Sequence, residues 1–168
     1  MGSAVTGIVV AVAVLVVATV FGVWHKRRDG RLRAVGDGGQ MAANPGALPS
    51  DEGPATLAAA DDAEDGQTLR GLGVDPSTPV TLLQFSSAFC APCRVTRRVL
   101  ADVAGLVDGV THLEVDAESH LDAVRALDIW RTPTTLIVAG GRIVQRASGV
   151  PAKAQVLAAV APILERAA

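Results

Sequence analysis

Apolar residues recur along the second half of this chain with two alternating periods, and the alternation predicts an ordered series of elements. Val80 to Phe85 is a short, mostly apolar run that reads as a buried strand. Val95, Val99, Leu100, Val103, Leu106 and Val107 then recur at helical spacing and predict a helix from Arg94 to about Val107. Val110 to Asp116 alternates apolar and polar, as a strand does. Ser119 followed by Asp122 resembles a helix cap with an acidic first turn, and Leu121, Val124 and Leu127 supply that helix's expected buried side. Thr134 to Val138 is the next strand, Gly140-Gly141 a hairpin turn, and Arg142 to Ala147 its return strand. Pro151 suits the first turn of a closing helix, although Pro162 inside that helix removes a backbone hydrogen bond and should kink or end it. Strand, helix, strand, helix, hairpin and helix together predict an α/β fold, a mixed sheet with helices on both faces.

The first half is patterned differently. Ala4 to Trp24 carries no charge and is dominated by valine and alanine. As one helix it would span about 30 Å, the thickness of bilayer hydrocarbon, so the run predicts an N-terminal transmembrane helix. A cleavable signal peptide would place basic residues before the apolar run, whereas here Lys26, Arg27, Arg28, Arg31 and Arg33 follow it. The expected location is therefore the cell membrane, single-pass. The basic flank puts the C-terminal part on the cytoplasmic side, with an extracytoplasmic placement as the alternative. Residues 1–28 form the expected anchor and 29–65, rich in Gly, Ala, Pro and Asp, a flexible linker. Residues 66–168 form the folded domain, opening with a short strand or helix near Gln67 to Val74.

Composition narrows the partners. Fifteen basic against seventeen acidic residues give a net charge of −2, and the basic cluster is accounted for by the membrane flank. No basic patch remains to suggest nucleic acid. Membrane contact is expected through residues 4–24.

The chain's two cysteines lie in Cys90-Ala91-Pro92-Cys93, between the first strand and the helix that follows it. A helix N-terminus offers unpaired N–H groups and the positive end of the helix dipole, which stabilise a thiolate on the first sulfur. Cys90 is the candidate nucleophile, and Cys93, one turn on, the candidate resolving thiol that attacks a mixed disulfide on Cys90. A structural zinc site needs four ligands, and His25, His112 and His120 form no suitable pair, so no metal is expected. Covalent haem attachment wants histidine where Arg94 stands. A permanent structural disulfide is the competing reading, but so short a loop constrains little chain.

Leu82 to Arg94 (Leu-Leu-Gln-Phe-Ser-Ser-Ala-Phe-Cys-Ala-Pro-Cys-Arg), Leu113 to Asp116, Arg131 to Thr134, Gly140-Gly141 and Ser148-Gly149 resemble, in their joint spacing, the thioredoxin family. The resemblance covers roughly residues 66–168 and implies a thioredoxin-like fold, with a cis Pro133 facing the cysteine pair. It also implies that Thr132 offers backbone groups to a bound substrate chain, with Phe89 as an apolar pocket wall. Trp130 and Arg131 border the same loop, where substrate contact and plain surface or packing roles are both open. The family commonly has tryptophan at the position of Phe89 and glycine at Ala91. It also has a proton-relaying aspartate where Gln84 stands and a lysine where His112 stands. Glutamine cannot titrate, so His112 is a candidate substitute in the relay, against the plainer reading of a half-buried strand histidine.

These readings converge on a membrane-anchored thiol:disulfide oxidoreductase of the protein-disulfide reductase type. Its redox-active group is the Cys90–Cys93 disulfide, with no other cofactor. It acts on a protein or small-molecule disulfide and exchanges electrons with a further thiol partner. The alternatives are a non-catalytic tethered binding module and an extracytoplasmic oxidase or maturation factor.

Overall fold

The computed structural model describes residues 10, 12–22, 32–34 and 54–167. In chain order the elements are β1 (Arg33–Ala34), α1 (Pro54–Gly71), β2 (Val80–Ser86), α2 (Ala91–Ala104), β3 (Val110–Asp116), α3 (Leu121–Ala126), β4 (Thr134–Ala139), β5 (Arg142–Ser148) and α4 (Lys153–Ala167). The strands form one sheet in the order β1-β5-β4-β2-β3. β2 and β3 run parallel, joined by α2 as a crossover, while β4 and β5 are antiparallel to their neighbours.

Because successive strand side chains point to opposite faces, the apolar run of β2 divides between two cores. Leu82 joins Ile137, Leu100 and Val103 with Val156, Val160 and Ile163 of α4 on one face. Leu83 and Phe85 join Leu69 of α1, Leu127, Ile129, Leu136 and Val138 on the other. β2 is buried along its whole length, which accounts for its nearly continuous apolar sequence. Its carboxyl end therefore delivers the cysteine loop from a strand paired on both sides and buried throughout.

The mixed sheet and its helices match the expected fold, and several finer expectations are corrected. α2 begins at Ala91 rather than Arg94, and its buried face is Cys93, Thr96, Leu100 and Val103. Val95 and Leu106, expected inside, are exposed. The helix is rotated so that the second cysteine, and not the valine after it, faces the sheet. α3 starts at Leu121 with His120 as an N-cap that makes no side-chain capping bond. Ser119 instead donates to Asp116 Oδ2 at 2.6 Å, closing the turn after β3, and Leu121 is exposed. α4 runs through Pro162 without ending. Pro162 and Ala158, whose carbonyl loses its helical donor, both face solvent, so water can satisfy the freed oxygen. Both α1 and β1 reach into the stretch 29–65.

The larger correction concerns the N-terminus. Among the described residues no helix is long and apolar enough to cross a membrane. Residues 12–22 are helical and exposed. Residues 4–9, 11, 23 and 24 of the expected span, and 25–31 of its basic flank, lie outside the described residues. The expected single-pass anchor, the membrane as a partner and the cell-membrane location are accordingly withdrawn.

Candidate active site

The site is assembled where the C-terminal end of β2, the N-terminus of α2 and the loop before β4 meet. Cys90 is the N-cap of α2, with extended backbone (φ −96°, ψ 95°), and Pro92 lies in the first helical turn, where a missing N–H costs nothing. The Cys93 N–H donates to Cys90 Sγ at 3.1 Å. A capping role normally taken by a serine or aspartate oxygen is thus filled by sulfur, and in the reduced protein the same donor would favour negative charge on that sulfur. Cys90 and Cys93 are joined as a disulfide with Cα atoms 5.2 Å apart. The two cysteines are unequal in exposure: Cys90 is half-buried, whereas Cys93 is 2% exposed.

A hydroxyl bridge ties this loop to the next one. Ser87 Oγ and Thr132 Oγ1 share a hydrogen bond of 3.1 Å, and Ser87 O accepts from the Cys90 N–H at 3.3 Å. Thr132 precedes Pro133 through a cis peptide bond. Pro133 is buried, and its carbonyl accepts from Gly149 N at 2.8 Å, which anchors the loop to the end of β5. Thr134 Oγ1 donates to Arg131 O at 2.7 Å and holds the loop's other side. Around these anchored backbones stand two large apolar side chains in open solvent, Phe89 at 100% exposure and Trp130 at 87%. Phe89, expected as a pocket wall, is thus a projecting side chain in the disulfide form.

Gln84 and His112, paired in the sequence reading, are not register partners. Gln84 is fully buried and its Nε2 donates to Cys93 O at 3.0 Å. Its neighbour on β3 is Glu114, while His112 lies opposite Leu82. His112 Nε2 is buried with no hydrogen-bond partner. Burial pushes its pKa below the ordinary 6.5, the Glu114 charge opposing and Arg97 assisting. Glu114, missed in the sequence, is the charged group nearest Gln84 in register. It receives a hydrogen bond from Arg97 Nη2 at 2.8 Å and a second contact from Arg97 Nε. Burial raises the Glu114 pKa, but the hydrogen bonds from Arg97 and Ser86 and the Arg97 charge outweigh it and leave the group below its usual range. The signal was available: in a parallel pair, a polar residue two positions beyond His112 shares its face. Among the described residues no three His, Cys, Asp or Glu side chains gather as a metal site.

Comparison with known proteins decides the family. The thioredoxin family pattern matches residues 73–162, more than half of the chain. The chain belongs to the thioredoxin family. A thioredoxin of Alicyclobacillus acidocaldarius is 31% identical over 85 residues, which cover 50% of this chain and 81% of that protein. Rice Thioredoxin H2-1 is 29% identical over 73 residues, 44% of this chain, and the match spans only about half (53%) of the rice protein. Among solved structures, chloroplastic thioredoxin z aligns with a TM-score of 0.51 at 25% identity, covering 57% of this chain and 88% of its own. A thioredoxin mutant from Halobacterium salinarum aligns at a TM-score of 0.50 and 18% identity, a likeness of fold. With a thioredoxin fold and an intact Cys90–Cys93 disulfide, the chain has the apparatus of a thiol:disulfide oxidoreductase.

Proposed function

We propose that this thioredoxin-family chain exchanges dithiol for disulfide with a protein or small-molecule substrate, with Cys90 attacking and Cys93 resolving. The observation that carries the reading is the asymmetry of the pair: a half-exposed Cys90 whose sulfur accepts the Cys93 N–H, beside a Cys93 that is 2% exposed. In the reduced protein the Cys90 thiolate attacks one sulfur of the substrate disulfide. A Cys90–substrate disulfide forms and the other substrate sulfur leaves as thiolate. Cys93, once deprotonated, attacks Cys90 Sγ, re-forms Cys90–Cys93 and expels the second substrate thiolate. Two electrons pass from the dithiol to the substrate, and a separate thiol partner must return them. The same steps in reverse oxidise a substrate dithiol.

Phe89 and Trp130 supply apolar surface near the attacking sulfur, and the backbone at Thr132, next to the buried Pro133, is the part of the site we assign to an extended substrate chain. Neither aromatic is engaged in a core, so their area is available to a partner. The test is turnover of a protein disulfide with a small dithiol as the reductant. The wild-type chain accelerates substrate reduction and the Cys90→Ser/Cys93→Ser double variant does not. Equal rates for the two proteins would reject the proposal.

A further inference from the structure

Four buried side-chain polar atoms among the described residues have no hydrogen-bond partner: Gln84 Oε1, Thr96 Oγ1, Thr135 Oγ1 and His112 Nε2. Three of them belong to side chains with no solvent exposure at all, Gln84, Thr96 and Thr135. All three lie on the interface between the sheet and α2. Gln84 on β2 and Thr135 on β4 are direct register partners and so point to the same sheet face. That face is the one α2 covers, because Gln84 Nε2 reaches the Cys93 carbonyl on α2. Thr96 lies on the buried face of α2, one turn beyond Cys93. His112 is a separate case, half-buried on the edge strand and opposite Leu82.

A buried hydroxyl or amide oxygen without a partner is costly, and one such group is uncommon. Three on one sheet–helix interface, none of them charged, suit a polar seat for a small neutral molecule that both donates and accepts. We propose that Gln84, Thr96 and Thr135 enclose one internal water beneath Cys93, and that this water orients the Gln84 amide on the Cys93 carbonyl. The valences match: water donates to Gln84 Oε1 and to one threonine oxygen, and accepts from the other hydroxyl. With Oε1 held on that side, Nε2 is directed at Cys93 O. Gln84 is then a positioning residue for the second cysteine, and the water is what fixes its orientation.

Stability measurements discriminate sharply, because replacing threonine by valine keeps shape and removes only the hydroxyl. If the hydroxyls are unpartnered, Thr96→Val and Thr135→Val relieve a penalty and raise the urea midpoint. If they share a water, each single change lowers the midpoint. The double variant then falls little further than the worse single one, because the water is already lost. A raised midpoint, or strictly additive falls, would overturn the shared site. The positioning role rests on reading Cys93 as the resolving thiol and is read separately. In the double valine variant, release of a mixed disulfide from Cys90 should slow several-fold more than its formation. Equal slowing of both steps would overturn that role. Should the wild-type protein show no disulfide turnover, the proposed function fails while the urea series still decides the water.

Discussion

His112 keeps its Nε2 inside the protein without a partner, so adding a proton there asks the fold to bury a charge. Its folded-state pKa is depressed, burial being the main cause, with Arg97 adding to it and Glu114 opposing. A depressed value means that the unfolded chain binds the proton more readily than the folded one. The stability contributed by neutral His112 is therefore complete above the ordinary value of 6.5 and is lost as pH falls through the folded value. Glu114 follows the same sign lower down: its contribution is present above 4.5 and is lost as acid protonates it and breaks the Arg97 pair. Urea midpoints measured across pH should accordingly fall in two stages on acidification. His112→Asn should flatten the upper stage and Glu114→Gln the lower. Superimposable profiles for wild type and both variants would contradict these assignments. At this scale the sequence displayed the cysteines, Pro133 and Gln84 but not their surroundings. Glu114 and the hydroxyls of Ser87, Thr96 and Thr135 became legible only once strand register and helix rotation were known.

Between elements, the most constrained connections are the β4–β5 turn and the approach to β3. Gly140 has φ 56° and a Cβ there would meet nothing within 4 Å, so alanine would suffer only the left-handed backbone cost. Gly109 has φ 80°, and its Cβ would also lie 3.3 Å from Pro79 Cγ and 3.4 Å from Leu164 Cδ2. Gly140→Ala should destabilise by about 1 kcal/mol and Gly109→Ala by more, since crowding adds to strain. Thermal unfolding of the two variants checks the order, and a larger loss at Gly140 would contradict it. The strands were legible because a period of two survives on half-buried faces, as in Val110–Asp116. The helices were less so. In α2 a broad scatter of valines hid a buried face that includes Cys93 and Thr96, and in α3 the serine read as a cap is taken by Asp116.

Across the whole molecule, stability comes from two apolar cores that share one sheet. Leu100→Ala opens a cavity on the α2–α4 face and Leu83→Ala one on the α1 face, each costing about 2–5 kcal/mol. Lying on opposite sides of the sheet, the two losses should add in the double variant, as read by urea unfolding. Strong non-additivity would mean that the faces are coupled through β2. The fold class was readable at this scale because element order alone restricts an α/β chain to few arrangements. The membrane expectation failed at the same scale. It was drawn from the composition of residues 4–24, and no helix among the described residues is long and apolar enough to cross a bilayer.

The mechanism turns on which sulfur attacks. Reduced Cys93→Ser protein should accumulate a stable mixed disulfide with a substrate protein through Cys90, because attack remains and resolution is gone. Cys90→Ser should trap nothing, its remaining thiol being 2% exposed in the native fold. Mass spectrometry of the non-reduced adducts reads the outcome directly. An adduct through Cys90 in the first variant and none in the second is the result predicted; trapping by Cys93 in the Cys90→Ser protein would contradict the central claim.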